Sequence, residues 1–301
     1  MQYREDHFLK FKPSGTDDLQ NYLMSRSGQE ERALFLKILN EGIHGFCYSL
    51  YEEGQGPGHV ISADPIRRRM KILQPHTSWV RSFSCVEGNE LIPEIAKEMG
   101  IKTMVGAWLG DDHEKNKIEI ENLISLAKRG LVDVAAVGNE VLYRNEMSED
   151  ELIDYIEQVK KAIPDVPVGY VDAYYEFVTR PRLSQSCDVI LTNCYPFWEG
   201  TSFDYSLQHV IQMYNQAMGA GGGKRVIITE TGWPSAGAAL GGSVPSFSNA
   251  IRYFINIHSW AKNEGVEVFH FSSFDESWKV GAEGDVGAHW GVWDKSGKLK
   301  F

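Results

Sequence analysis

VDVAAVGNEVLYRNEMSEDELIDYIEQVKKAIPDVPVGYVD, residues 132–172, decides the fold. It opens on an apolar run, passes through a charged stretch of helical period, and returns to a second apolar run. Leu152, Tyr155, Ile156, Val159 and Ile163 fall at i, i+3, i+4, i+7 and i+11, one apolar stripe on a helix. Ser148 followed by Glu151 reads as a capping box, and Pro164 ends the helix. The flanking runs are apolar nearly throughout, as strands covered on both faces must be. Strand, helix and strand in this order make a parallel βαβ unit.

The same alternation extends in both directions. Strands are expected at 44–49, 78–83, 102–108, 132–138, 167–172, 188–195, 225–231 and 266–274. Helical stripes recur at Ile120, Leu123, Ile124 and Ala127, and at Leu207, Val210, Ile211, Tyr214 and Met218. Eight strands predict a single α/β domain over 1–301, a closed (β/α)8 TIM barrel, with an open doubly wound sheet as the alternative. Residues 1–42 form an extension whose helix, at about 29–40, is expected to pack where the eighth barrel helix is missing. Residues 277–301, rich in Gly and Trp, read as loop. The Gly-rich segments at 54–58, 219–223 and Gly241-Gly242 match no phosphate-binding pattern and read as connectors.

Composition narrows the function. The formal net charge is −11, and the densest basic run is Arg67-Arg68-Arg69, so no nucleic-acid partner is expected. Neutral sugars suit an acidic, aromatic-rich chain with eight Trp and thirteen Tyr. Cys47, Cys85, Cys187 and Cys194 form no C-x-x-C pair, and the nine His show no metal-ligand spacing, so neither metal nor cofactor is expected. A Cys47–Cys85 disulfide is the one pairing that the strand positions would allow. MQYREDHFLKFK at the start lacks an apolar leader, and no run is long enough to span a membrane. A cytoplasmic monomer is expected, or a secreted or periplasmic one whose leader has been removed.

In barrels of this kind the chemistry sits at the C-terminal strand ends. The fourth strand ends AAVGNE, placing Asn139 and Glu140 at the mouth, and the seventh ends VIITE, placing Glu230 there. Two carboxyls facing one cavity are what glycosidic cleavage requires, one to protonate the leaving oxygen and one to attack the anomeric carbon. Gly88-Asn89-Glu90 repeats the tripeptide but opens a helix several residues past a strand, where Asn caps and Glu complements the dipole. That copy is structural.

AAVGNEV (135–141) together with VIITETGWPSAG (226–237) resembles glycoside hydrolase family 17, the β-1,3-glucanase family, over about residues 43–293. The resemblance implies retention of configuration, no metal or cofactor, and β-1,3-glucan such as laminarin, or its oligosaccharides, as substrate. It implies Glu140 as acid/base, Glu230 as nucleophile, and Asn139 on the sugar 2-hydroxyl. Matching segments add Tyr48 in FCYS, Arg81 and Phe83 in VRSFSC, and Asp172 in VGYVD. They also add Tyr195, Phe197 and Trp198 in TNCYPFW, and Trp233 in the second motif. Trp278 and Trp290 are expected to stack on sugar rings. FDESWK, with Glu276, Trp278 and Lys279, matches the fungal pattern and not the plant one. A non-proline cis peptide is implied near Phe271-Ser272.

Some members of that branch transfer glucan chains, so a β-1,3-glucanosyltransferase using the same two glutamates is the alternative to hydrolysis. A sugar-binding protein on an inactive barrel is the alternative from another class. Intact Glu140, Glu230 and Asn139 oppose it.

Overall fold

The computed structural model describes Leu19, Tyr22 and residues 27–301. Eight strands follow in chain order: β1 (Ile43–Cys47), β2 (Thr77–Ser82), β3 (Lys102–Ala107), β4 (Val134–Asn139), β5 (Val168–Ala173), β6 (Val189–Asn193), β7 (Arg225–Thr231) and β8 (Glu267–His270). Each pairs in parallel with the next, and β8 returns to β1 through Gly45↔Phe269 and Phe46↔His270. The sheet is therefore a closed barrel and not an open one. Gly45 permits the closure, because a Cβ there would stand 2.4 Å from the Phe269 ring.

The larger helices cover the outside: α1 (Gly28–Glu41), α2 (Ala63–Leu73), α3 (Ile92–Glu98), α4 (His113–Lys128), α5 (Glu149–Ala162), α6 (Tyr174–Thr179), α7 (Pro181–Ser186), α8 (Ser206–Gly221) and α9 (Phe247–Glu264). Ser148 Oγ accepts the Glu151 N–H at the head of α5, while the Glu151 carboxylate turns to His113 at 3.1 Å. α1 lies against α9, with Phe35 fully buried between Phe254 and Phe301 at 4.9 and 5.3 Å. Burying a Phe side chain contributes about 1.5–3 kcal/mol, enough to dock a helix whose outer face is solvated.

Five expectations need correction. β8 stops at His270 and not at 274, ahead of a cis Phe271–Ser272 bond. Beyond it the Ser272 N–H donates to Trp290 O and the Ser273 N–H to Cys47 O, so the chain leaves the ladder. Residues 277–289 are not loop but short helical turns, including α10 (Val280–Glu283). Gly219 to Gly221 finish α8, with Gly222 as its left-handed cap. The four cysteines are buried free thiols; Cys47 donates to Thr229 O and Cys85 to Gly106 O. In the second G-N-E copy Asn89 does not cap as expected: it is the first residue of a short 3-10 helix whose cap position is Gly88, and its side chain donates to Val86 O at 3.0 Å, while Glu90 in the first turn accepts the Gly88 N–H at 2.9 Å.

Two irregularities in the barrel bear on chemistry. The β4–β5 register shifts between Ala136 and Asn139, where Gly138 has φ +85°. The β6–β7 register shifts so that Asn193 faces Glu230, leaving Thr229 as the extra residue. Bulges re-aim the side chains that follow them. In both strands the re-aimed residues are polar and lie at the C-terminal mouth.

Candidate active site

Glu140 follows the Gly138 bulge in a left-handed conformation, φ +53°, fixed by its N–H donating to Val171 O at 2.8 Å. Its carboxyl is partly buried, and burial pushes its pKa up to about 7; the Glu230 charge adds to this, and Arg144 and Arg81 oppose it. Burial thus outweighs the neighbouring carboxylate as the cause.

Glu230, buried at the end of β7, accepts from three side-chain donors. Arg81 Nη1 lies 2.5 Å from its Oε1, Asn193 Nδ2 lies 3.3 Å from the same oxygen, and Tyr195 OH donates to Oε2 at 2.7 Å. Arg81 reaches Asn139 Oδ1 at 2.6 Å with its other terminal nitrogen. One buried guanidinium therefore ties β7 to β4.

Asn193 joins the two carboxyls. Its Nδ2 donates to Glu140 Oε1 at 2.8 Å as well as to Glu230. Thr229 Oγ1 donates to Asn193 Oδ1 at 2.7 Å, which orients the amide with its N–H groups toward the glutamates. One nitrogen can reach two oxygens at 2.8 and 3.3 Å only if they lie within about 6 Å of each other, short of the ~6.5–9.5 Å of inverting glycosidases. Asn193 follows an apolar run directly, as Glu140 and Glu230 do, so the same strand-end reasoning would have found it.

The other expected residues divide. Tyr195 and Trp198 are partly buried on one wall, and Phe83 lies partly buried beneath Arg81. Trp278 is 36% exposed, edge-on to Tyr51. Glu276 and Lys279 are buried against each other at 2.8 Å, with Lys279 over the Phe271 ring.

Five residues do not line the cleft as expected. Tyr48 is buried with its hydroxyl on Ile66 O. Phe197 and Trp233 pack edge to face at 5.4 Å, and the Trp233 indole N–H is taken by Val244 O. Trp290 is buried behind Tyr195 and Trp198. Asp172 is fully buried, and its carboxyl accepts from Tyr170 OH and from the Tyr143 and Ala173 N–H groups. It holds the turn after Glu140 and does not face a ligand. Strand-end position alone cannot separate a residue facing the mouth from one turned behind it.

Glu283 on α10 has no signal in the sequence, since a Gly-rich segment carries no periodicity. It is a third carboxyl close to Glu230, and burial pushes its pKa up to about 7. Among the described residues, no group of three or more His, Cys, Asp or Glu is placed to hold a metal ion, and no helix is long and apolar enough to cross a membrane.

The model of the BtgE/BtgC glycoside hydrolase domain matches residues 45–291, from β1 to the segment beyond β8. The chain belongs to this glycoside hydrolase family. It is 28% identical to the glucan 1,3-beta-glucosidase of Saccharomyces cerevisiae over 81% of its own length and 86% of that protein. The glucan 1,3-beta-glucosidase of Candida albicans is also 28% identical, over 77% of this chain and 83% of that one. Among solved structures, the glycoside hydrolase family 17 β-1,3-glucanosyltransferase of Rhizomucor miehei superposes with a TM-score of 0.77 at 29% identity, covering 87% of this chain and 96% of that chain. An endo-laminarinase from Formosa, at 18% identity and a TM-score of 0.74, shares the fold. The matched region spans both strands that carry the glutamates, so the paired carboxyls belong to the part of the chain held in common with the family.

Proposed function

We propose that this protein is a retaining β-1,3-glucan hydrolase of glycoside hydrolase family 17. The observation that carries the reading is the single Asn193 nitrogen shared by Glu140 and Glu230, which holds their Oε1 atoms within about 6 Å of each other, as the close carboxyl pair of a retaining enzyme requires. Glu140, protonated, gives its proton to the glycosidic oxygen as that bond to the anomeric carbon breaks. Glu230, ionised and held by Arg81, Asn193 and Tyr195, forms the new bond to the same carbon. Glu140 then takes a proton from water, whose oxygen displaces Glu230. Asn139, fixed by Arg81, is positioned beside the acid for the sugar 2-hydroxyl. The glucan 1,3-beta-glucosidase names of the yeast relatives support the linkage.

A second reading has its own support. The Rhizomucor miehei neighbour is a β-1,3-glucanosyltransferase, one form of which was solved with laminaritriose. In a transferase a sugar hydroxyl replaces water in the second step.

A reducing-sugar assay on laminarin beside curdlan, lichenan and cellulose tests the substrate. Release from laminarin and curdlan alone is expected; release only from cellulose would overturn the linkage. Products longer than the starting oligosaccharide at high concentration would favour transfer.

A further inference from the structure

We propose that Trp108 forms a sugar-stacking subsite on the β3 rim of the cleft, where its indole face receives a glucosyl ring of a bound β-glucan beyond the point of cleavage. The inference rests on the carbohydrate reading above. Trp108 follows β3 directly and is 43% exposed. In an eight-strand barrel closed in chain order, β3 stands across the mouth from β7. The aromatic wall already described, Tyr195 and Trp198, lies on the β6 side. A chain that enters past that wall and crosses the two glutamates leaves over β3 and β4.

The indole is close to the acid. The Arg144 guanidinium stacks on the Trp108 ring at 4.6 Å from its centre, donates to Asn139 O at 2.6 Å, and carries its charge near enough to Glu140 to oppose the effect of burial. Arg144 thus occupies one face of the indole and also reaches the backbone of Asn139, the residue before Glu140. The other face is the one a ring could take, since the apolar C–H face of a pyranose packs on an aromatic surface.

The exposed position is also rigid. The Trp108 backbone N–H reaches the buried Glu119 carboxyl, Leu109 O accepts from Arg144 Nη2 at 3.1 Å, and Asn116 clamps both backbone groups of Gly110 at 2.8 and 2.9 Å. An exposed indole on a fixed backbone, with Arg144 on one face, gains little for the fold, whereas a preorganised platform binds at a lower ordering cost.

The test compares wild type with Trp108→Ala and Trp108→Phe on laminaritriose through laminarihexaose. The preference in kcat/KM for hexaose over triose is expected to fall about tenfold in Trp108→Ala, mainly through KM, and to survive largely in Trp108→Phe. An unchanged preference in Trp108→Ala overturns the inference. Tryptophan emission in a Glu230→Ala background gives a readout without turnover. Laminarihexaose should perturb it, and Trp108→Phe should remove most of that signal. If wild type cleaves no β-1,3-glucan, the functional reading fails. Trp108 is then judged by the same emission test with β-1,4 and mixed-linkage oligosaccharides, and no Trp108-dependent change with any of them overturns the subsite.

Discussion

Arg81 Nη1 lies 2.5 Å from Glu230 Oε1, and the arginine is 1% exposed. The pair is buried, so either partner alone would be an uncompensated charge. Arg81→Met should lower stability by about 3–5 kcal/mol. Arg81→Lys keeps the charge but cannot span Glu230 and Asn139 together. It should fold, and its kcat should drop by about a hundredfold through misplacement of the carboxylate. Thermal melts and kcat together check both, and a lysine variant with full activity would contradict the clamp.

The pH–rate profile should carry a basic limb near pH 7. Glu140 must hold a proton in the first step, and with its pKa raised to about 7 the protonated fraction falls as pH climbs through that value. Glu283 is raised to the same range, so the limb needs an owner. In Glu283→Gln the limb of kcat/KM should remain; its disappearance would assign it to Glu283.

Stability should fall as pH rises between about 4.3 and 7. Glu119, buried beneath the loop after β2, is pushed up to about 7, against about 4.3 in an unfolded chain. The folded state therefore binds more protons across that window, and each such carboxyl makes folding more favourable on the acidic side. Glu140 and Glu283 add in the same direction. Melting temperatures should be higher near the acidic end of the window, and Glu119→Gln should flatten the slope.

The roles of the two glutamates can be separated with a dinitrophenyl β-laminarioside, whose leaving group needs no proton. Glu140→Ala should give a burst of phenolate and a trapped adduct on Glu230, with azide restoring turnover as the β-azide. Glu230→Ala should give no burst, and azide should give the α-azide. An adduct on Glu276 would break the assignment, although its ion pair with Lys279 at 2.8 Å leaves it poorly placed to attack.

The barrel was legible because two-faced burial writes itself as apolar runs at regular spacing, and the two glutamates because a charge directly after such a run needs a reason. Tyr48, Asp172 and Trp233 matched segments of the same family pattern yet turn into packing. Which way a side chain leaves a strand end depends on bulges such as the one at Thr229, and a bulge leaves no periodic trace. Asn193 is legible by the same strand-end rule as the glutamates. Glu283 and the Trp108–Arg144 stack depend on contacts between segments far apart in the chain, which no local pattern encodes.

Glu140 sits at φ +53°, where glycine or asparagine is at ease and most other residues lose about 1–2 kcal/mol. Position 140 is therefore a place where durability and chemistry pull in opposite directions. Glu140→Gly or Glu140→Asn should survive heating better than the parent while releasing no sugar. Laboratory evolution that scored endurance alone would reach an inert barrel by one of its shortest routes, so every round must also score catalysis.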